Sequence, residues 1–219
     1  MKDAFRVLVG LAIYRTPLPN RVKRLLDRLD GEAPASWYDN VYQAAPRHYF
    51  DHYTKSPYYF VWSVVADRLR GARAVLEIGC GTGQLAQLLQ DQGIQHYTGF
   101  DFSRKAIELA RKRLPNHDLR VDDARTTQLY REIDHDVVIC TEVLEHIEAD
   151  LAVLAALKPG VRVIATVPNF DFTSHVRFFD DVSQVIARYG SLFEGLDVVT
   201  LWSSRTAKFF LLDGIRTRA

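Results

Sequence analysis

Between residues 72 and 169, short apolar runs alternate with stretches in which apolar positions recur every three or four residues. Residues 74–78, 97–101, 119–121, 136–140 and 161–167 read as strands. Residues 84–92, 104–113 (ending before Pro115) and about 146–157 read as helices. Strands separated by helices of this length need crossover connections, which build a parallel sheet. The strand runs are apolar almost throughout, so both sheet faces are covered. Further on, 182–189 reads as a helix, and 196–202 and 207–212 as strands. Only Ser203-Ser204-Arg205 and its neighbours join those two strands, a connection that favours an antiparallel pair. The pattern predicts an α/β fold. Its sheet has seven strands, mostly parallel with one antiparallel strand, and helices on both faces.

Residues 1–70 read differently. The apolar stretch from Val7 to Tyr14 is too short to span a bilayer. It follows Lys2 and Arg6, but Arg15-Thr16-Pro17 comes next instead of a small-residue cleavage site, so no cleaved signal is expected. Val22, Leu25, Leu26 and Leu29 place one apolar face on a helix over 20–30. Residues 1–30 hold seven Lys/Arg against three Asp. A basic amphipathic helix of this kind packs on its own domain or meets a partner or membrane surface, and both readings stay open. Aromatics then crowd together: Trp37-Tyr38, Tyr42, His48-Tyr49-Phe50, His52-Tyr53 and Tyr58-Tyr59-Phe60-Val61-Trp62. They suit a cover over a binding cleft or a helix packed in the core. The expected organisation is an N-terminal helical extension, 1–70, followed by the main domain, 71–219.

Composition narrows the partners. Lys+Arg is 28 and Asp+Glu is 27, so the net charge of +1 gives no field to attract a polyanion. A small molecule is the expected partner and nucleic acid is disfavoured; a monomer or a homodimer both fit. Two cysteines, Cys80 and Cys140, suggest neither a disulfide framework nor a zinc site, and a cytoplasmic home is expected. Each reads as a small buried hydrophobe.

The chemistry starts at Val75-Leu76-Glu77-Ile78-Gly79-Cys80-Gly81-Thr82-Gly83. A buried strand runs into three glycines and then a helix. Glycine lets the backbone turn sharply and a ligand approach closely. In an open parallel sheet, ligands bind beyond the carboxyl ends of the strands. The second strand ends at Asp101, 18 residues beyond Gly83, where a carboxylate accepts hydrogen bonds from both hydroxyls of a ribose. The loop lacks the third glycine of G-x-G-x-x-G at its required offset, which disfavours a dinucleotide.

These residues resemble the class I S-adenosylmethionine-dependent methyltransferase family, in good order over residues 75–169, and the two final strands fit that family's usual ending. The resemblance implies a Rossmann-like fold with S-adenosylmethionine as cofactor. It places Gly79, Gly81 and Gly83 beside the methionine part and Glu77 in contact with or near it. Asp101 takes the ribose, Phe102 packs on the adenine, and Asp123, next to Asp122, accepts from the adenine amino group. Cys140 and Thr141 face the methionine end mainly by backbone.

Methyl transfer needs the acceptor close and aligned, and a hydroxyl acceptor also benefits from a base. Thr141-Glu142-Val143-Leu144-Glu145-His146-Ile147 follows the fourth strand, and the stretch resembles O-methyltransferases of ubiquinone biosynthesis and sugar O-methyltransferases. His146 is the expected general base. A second reading gives Glu142, Glu145, His146 and His175 to a divalent cation such as Mg²⁺, as in the similar group of small-RNA 3′-terminal methyltransferases. His175 follows His146 by only 29 residues, and the neutral chain speaks against RNA. Asn169, His175 and Arg177 are expected on the substrate side. The expected reaction is O-methylation of a small metabolite, a saccharide or glycolipid precursor first, a phenolic or quinone-like acceptor second, an RNA 3′ end third.

Overall fold

A computed structural model describes residues 31–44, 49–172 and 174–218. The apolar stretch 7–14, the basic helix expected over 20–30, and His48 lie outside the described residues. Seven strands form one sheet in the order β3-β2-β1-β4-β5-β7-β6. They are β1 (Ala74–Ile78), β2 (His96–Asp101), β3 (Asp118–Val121), β4 (Val137–Thr141), β5 (Arg162–Pro168), β6 (Phe193–Trp202) and β7 (Lys208–Arg216). β7 pairs antiparallel with both β5 and β6, so it alone runs against the others. The sheet order reverses beside β1, which puts the crevice of a doubly wound sheet at the ends of β1 and β4.

Strand residues alternate between two cores. Leu76, Ile78, Val138 and Cys140 join the core on one face. Val75, Val137, Ile139 and Ile164 join the core on the other. The crossover helices are α3 (Gln84–Asp91), α4 (Arg104–Arg113) and α6 (Asp150–Ala156), with the short α5 (Leu129–Glu132) before β4 and α7 (Val182–Tyr189) before β6. Ser103 caps α4 by accepting from the Ala106 amide, and Asp181 caps α7 by accepting from Gln184.

The helix expected over 146–157 begins later, at Asp150, behind a 3₁₀ turn over Leu144–His146. The cause lies in Arg177, whose guanidinium donates to the carbonyls of Leu144, Ile147 and Glu148. Those carbonyls are turned to a side chain instead of a helical ladder, and Ile147 is extended (φ −112°, ψ 121°). β6 starts three residues before the expected 196 because a bulge between Glu194 and Asp197 hides its alternation. α5, four residues long, is too short to show a period.

Among the described residues two α-helices precede β1: α1 (Ala35–Ala44) and α2 (Tyr59–Arg68). α1 rests on α4, where Asp39 accepts from the Ser103 hydroxyl (2.6 Å) and the Lys105 amide (3.0 Å). α2 buries Val61, Val65 and Ala66 in the second core. At its end Arg68 bonds Asp213 of β7 (2.8 Å), and Arg162 of β5 reaches both Asp213 (2.7 Å) and the Arg68 carbonyl (2.9 Å). Among the described residues no helix is long and apolar enough to cross a membrane.

Candidate active site

At the end of β1 the chain turns through Gly79 (φ +69°), Gly81 (φ +52°) and Gly83 (φ +76°). A Cβ on Gly79 would lie 2.3 Å from Cγ2 of Val143, so space as well as conformation requires glycine there. The Gly79 and Cys80 amides donate to the Phe100 carbonyl (2.8 and 3.0 Å), which ties the loop to β2. From the other side, Asp101 accepts from the Gly81 amide on Oδ2 (3.0 Å) and the Ser103 amide on Oδ1 (2.8 Å). Burial pushes its carboxyl up to about 6 despite those two donors. Glu77 accepts from the Tyr97 hydroxyl (2.6 Å), and burial raises it to about 7.

Phe102 follows Asp101 and lies against the Tyr38 ring of α1, with centroids 5.1 Å apart. A cavity of about 470 Å³ opens here, lined by Phe102, Val121, Asp122, Asp123, Pro34 and Ala35 among others. Asp123 is paired with Arg125, whose Nε lies 2.9 Å from Oδ1. Asp122 accepts from the Asp123 amide and the Thr127 hydroxyl. A larger cleft of about 690 Å³ sits at the opposite edge of the sheet, between Arg73, His96, His117 and His135, and holds none of the expected site residues.

β4 ends in Cys140 and Thr141, both buried, and burial raises the Cys140 thiol. Glu142 next adopts φ +56°, a conformation that costs a non-glycine residue about 1–2 kcal/mol. Thr166 of β5 holds it there. Its hydroxyl accepts from the Glu142 amide (3.1 Å) and donates to the Glu142 carboxylate (2.9 Å). This kink turns the chain so that Glu145 and His146 come over the sheet edge. Glu145 is fully buried, and neither carboxylate oxygen has a hydrogen-bond partner among the described residues. Burial and the neighbouring Glu142 push its carboxyl well above the usual range; burial raises Glu142 to about 8.

His146 Nε2 lies 3.9 Å from Glu145 Oε1. Its Nδ1 lies 3.0 Å from the Ser174 carbonyl and 3.1 Å from the Ser174 hydroxyl. His175 packs edge-on, ring centroids 4.7 Å away, with its own Nδ1 on the Phe170 carbonyl (3.2 Å). Burial lowers His146 to about 3 and His175 to about 4, so both imidazoles are neutral at pH 7. Glu145, His146 and His175 each present one ligand atom, and these atoms lie within 4.8 Å of one another. Glu142 is not in that group.

Of the three residues expected on the substrate side, His175 faces this group. The Asn169 amide links the end of β5 to the β6–β7 hairpin, donating to the Thr206 carbonyl and accepting from the Lys208 amide. Arg177 spends its donors on the turn before α6 and pairs with the buried Asp150 (3.2 Å). Thr166 and Ser174 were not singled out in the sequence. Their roles depend on strained backbone at Glu142 and Ser174, which no residue type announces.

The geometry agrees with the comparisons. Residues 75–163 match the family described as a methyltransferase domain. A ubiquinone biosynthesis O-methyltransferase of Aromatoleum aromaticum is 30% identical over 148 residues, covering 64% of this chain and 60% of that protein. One of Vibrio vulnificus is 30% identical over 171 residues, 72% of this chain and 66% of that protein. The chain thus spans about 60% of the length of the first relative. The N-methyltransferase NodS from Bradyrhizobium japonicum, solved with S-adenosyl-L-homocysteine, superposes with a TM-score of 0.59 at 18% identity, covering 81% of this chain and 98% of that one. The N-terminal domain of EvdMO1 with S-adenosyl-L-homocysteine bound gives 0.57 at 18%, covering 75% and 82%. At such identities the two structures show the fold.

Proposed function

We propose that this chain, which belongs to the class I S-adenosylmethionine-dependent methyltransferases, methylates a hydroxyl of a small acceptor. The observation that carries the proposal is the position of the His146 imidazole over the sheet's carboxyl edge, with its Nδ1 on the Ser174 carbonyl, which leaves its Nε2 to face the acceptor. The residues present fit the cofactor. The three glycines turn the loop at positive φ at the carboxyl end of β1, and Asp101, accepting from the Gly81 amide, is assigned to the ribose. Phe102 with Asp122 and Asp123 lines a cavity suited to the adenine. When bound, the cofactor supplies an electrophilic methyl group. His146 then accepts the acceptor's hydroxyl proton, and the aromatic surroundings exclude water.

The acceptor side is walled by rings. His175 lies near Phe170 (6.1 Å) and Phe172 (5.9 Å), and Phe170 packs edge-on to Phe209 (5.4 Å). That wall favours an acceptor with a flat apolar face. A phenolic or quinone-like molecule fits, in line with relatives named for ubiquinone biosynthesis; a saccharide, which also stacks on rings, is the alternative. A second reading has its own support: buried Glu145 with His146 and His175, ligand atoms within 4.8 Å of one another, could hold a divalent cation. An RNA 3′ end ranks last on the net charge of +1. Cys80 and Cys140 are free and buried, which suits a reducing cytoplasm.

Calorimetry with S-adenosylmethionine tests the class. Turnover of phenols, saccharides and a short RNA, with and without chelator, tests the rest. Activity that survives chelator and is lost in His146→Ala supports the base. Activity lost to chelator and restored by Mg²⁺ or Mn²⁺ moves Glu145, His146 and His175 to the metal reading.

A further inference from the structure

We infer that Tyr38, on the covering helix α1, is a positioning residue for His146. Acting through Ser174, it holds the imidazole with its proton on Nδ1 and its lone pair on Nε2, turned toward Glu145. The inference rests on the reading of His146 as the residue that meets the acceptor.

Both oxygens of Ser174 face His146 Nδ1. A backbone carbonyl only accepts, so the Ser174 oxygen 3.0 Å away fixes a proton on that nitrogen. The Ser174 hydroxyl, 3.1 Å from the same nitrogen, is then a second acceptor for it. One residue therefore offers two oxygens to one ring nitrogen. It does so at φ +69°, in the left-handed region that costs a serine about 1–2 kcal/mol. Such a conformation persists only where the surroundings over-determine it. Two backbone bonds flank it, from the His175 amide to Phe172 and from the Val176 amide to Glu145 (2.7 Å). The third restraint comes from 136 residues away: the Tyr38 hydroxyl donates to the Ser174 Oγ (3.2 Å). That donation leaves the oxygen's remaining lone pair facing His146.

The Tyr38 ring adds direct contact, edge-on to His146 with centroids 5.9 Å apart, while its other side meets Phe102. Tyr38 thus touches the adenine-side ring and the acceptor-side ring at once. Its phenol keeps its proton, because burial raises its pKa well above 10. α1 is itself seated by Asp39 on the first turn of α4. Seating of the cover and the tautomer of His146 are consequently linked, and the acceptor side is set only when α1 is in place. A wrong tautomer points a hydrogen where a lone pair is needed, which disables a base or a ligand alike.

The test is a long-range ¹H–¹⁵N correlation spectrum of the full chain with ¹⁵N-labelled histidine at pH 7. His146 is assigned by its loss in His146→Gln. In the native chain the spectrum is expected to show His146 protonated at Nδ1. Tyr38→Phe keeps the ring and removes the hydroxyl, and Ser174→Ala removes the acceptor but keeps the carbonyl. In each, residue 174 loses the tie that helps hold its φ +69° backbone and carbonyl on Nδ1, so an Nε2-protonated population of His146 is expected to appear, with the melting temperature and cofactor affinity close to native. Once an acceptor is in hand, Tyr38→Phe should lower kcat by about 3- to 10-fold, the range of one neutral hydrogen bond. A native His146 protonated at Nε2, or an unchanged Nδ1 tautomer in both variants, overturns the inference. Because the spectrum needs neither cofactor nor acceptor, its result is separate from the functional reading. That reading fails instead if His146→Ala keeps full transfer.

Discussion

Replacing Gly79 with alanine tests why the first glycine of the loop is a glycine. Two costs add. An alanine at φ +69° is strained by about 1–2 kcal/mol. Its Cβ would also sit 2.3 Å from Val143 Cγ2, so one of them must retreat by about 1 Å to reach an ordinary contact. Val143 is β-branched and stiff at χ1, and overpacking of this kind costs about 1–3 kcal/mol. The sum is about 2–5 kcal/mol. Val143→Ala alone loses about 1 kcal/mol of packing, and in the double variant it removes the clash but not the strain. Urea unfolding of the four proteins closes the cycle. Gly79→Ala/Val143→Ala should be more stable than the two single losses predict, by about 1–3 kcal/mol. Strict additivity, within about 0.5 kcal/mol, would refute the packing explanation. Calorimetry on the double variant then isolates the ligand's own demand. If S-adenosylmethionine still fails to bind once the clash is gone, the glycine also serves close approach of the cofactor.

Glu77 should give the fold a pH dependence of definite sign. Its carboxyl is raised to about 7, so the folded chain holds a proton that the unfolded chain has released. This contribution to stability therefore falls as pH rises from about 4.5 to about 7 and levels off above, by something on the order of 3 kcal/mol. Glu77→Gln should remove that contribution from the pH dependence in urea titrations, leaving those of Asp101 and of the raised Glu142 and Glu145, opposed by the lowered His146 and His175; an unaltered profile contradicts the assignment. Asp150 is fully buried and accepts from Arg188 (2.8 and 2.6 Å) and from the Tyr189 hydroxyl (2.7 Å), with Arg177 at 3.2 Å. Asp150→Ala should cost about 3–5 kcal/mol, because Arg177 cannot rehydrate, and a loss below about 1 kcal/mol in a melt would count against it. Asp101→Ala should weaken S-adenosylmethionine binding about 10-fold or more by calorimetry, and a change under about 2-fold would remove Asp101 from the ribose.

Much of the frame was legible because its cause is local. The apolar runs of β1, β4 and β5 are buried on both faces, and their nearly unbroken apolar sequence shows it. The glycine loop and Asp101 sit where strand ends put them, a place that spacing alone conveys. The turn carrying Glu145 and His146 was harder. Its sequence favours a continuous helix, and only Arg177, some thirty residues on, takes the carbonyls that would build one. Arg177 and Asn169 are expected to meet a ligand because polar groups and aromatics interleave over residues 168–179. In the fold Asn169 bonds the main chain of Thr206 and Lys208, and Arg177 bonds three carbonyls and the Asp150 carboxylate, partners that sequence order does not reveal. Tyr38 was visible as one aromatic among many, and its link to Ser174 spans too much chain to be inferred.

The salt-linked root of α2 has a consequence for anyone exchanging the N-terminal segment with that of a relative. Arg68 and Arg162 clasp Asp213 from opposite sides, and the α2 apolar face is built into the second core. Exchanging residues 31–70 wholesale with a homologue would tear out part of the foundation along with the roof. The exchangeable portion ends before Tyr49, because Thr82, Gln84 and Arg113 tie the carbonyls of residues 49–51 to the main domain and Tyr53 lies in the second core. Upstream of Tyr49, α1 is seated chiefly by one aspartate and a few rings, so exchanges are best made there, with Asp39 and Tyr38 carried along as fittings.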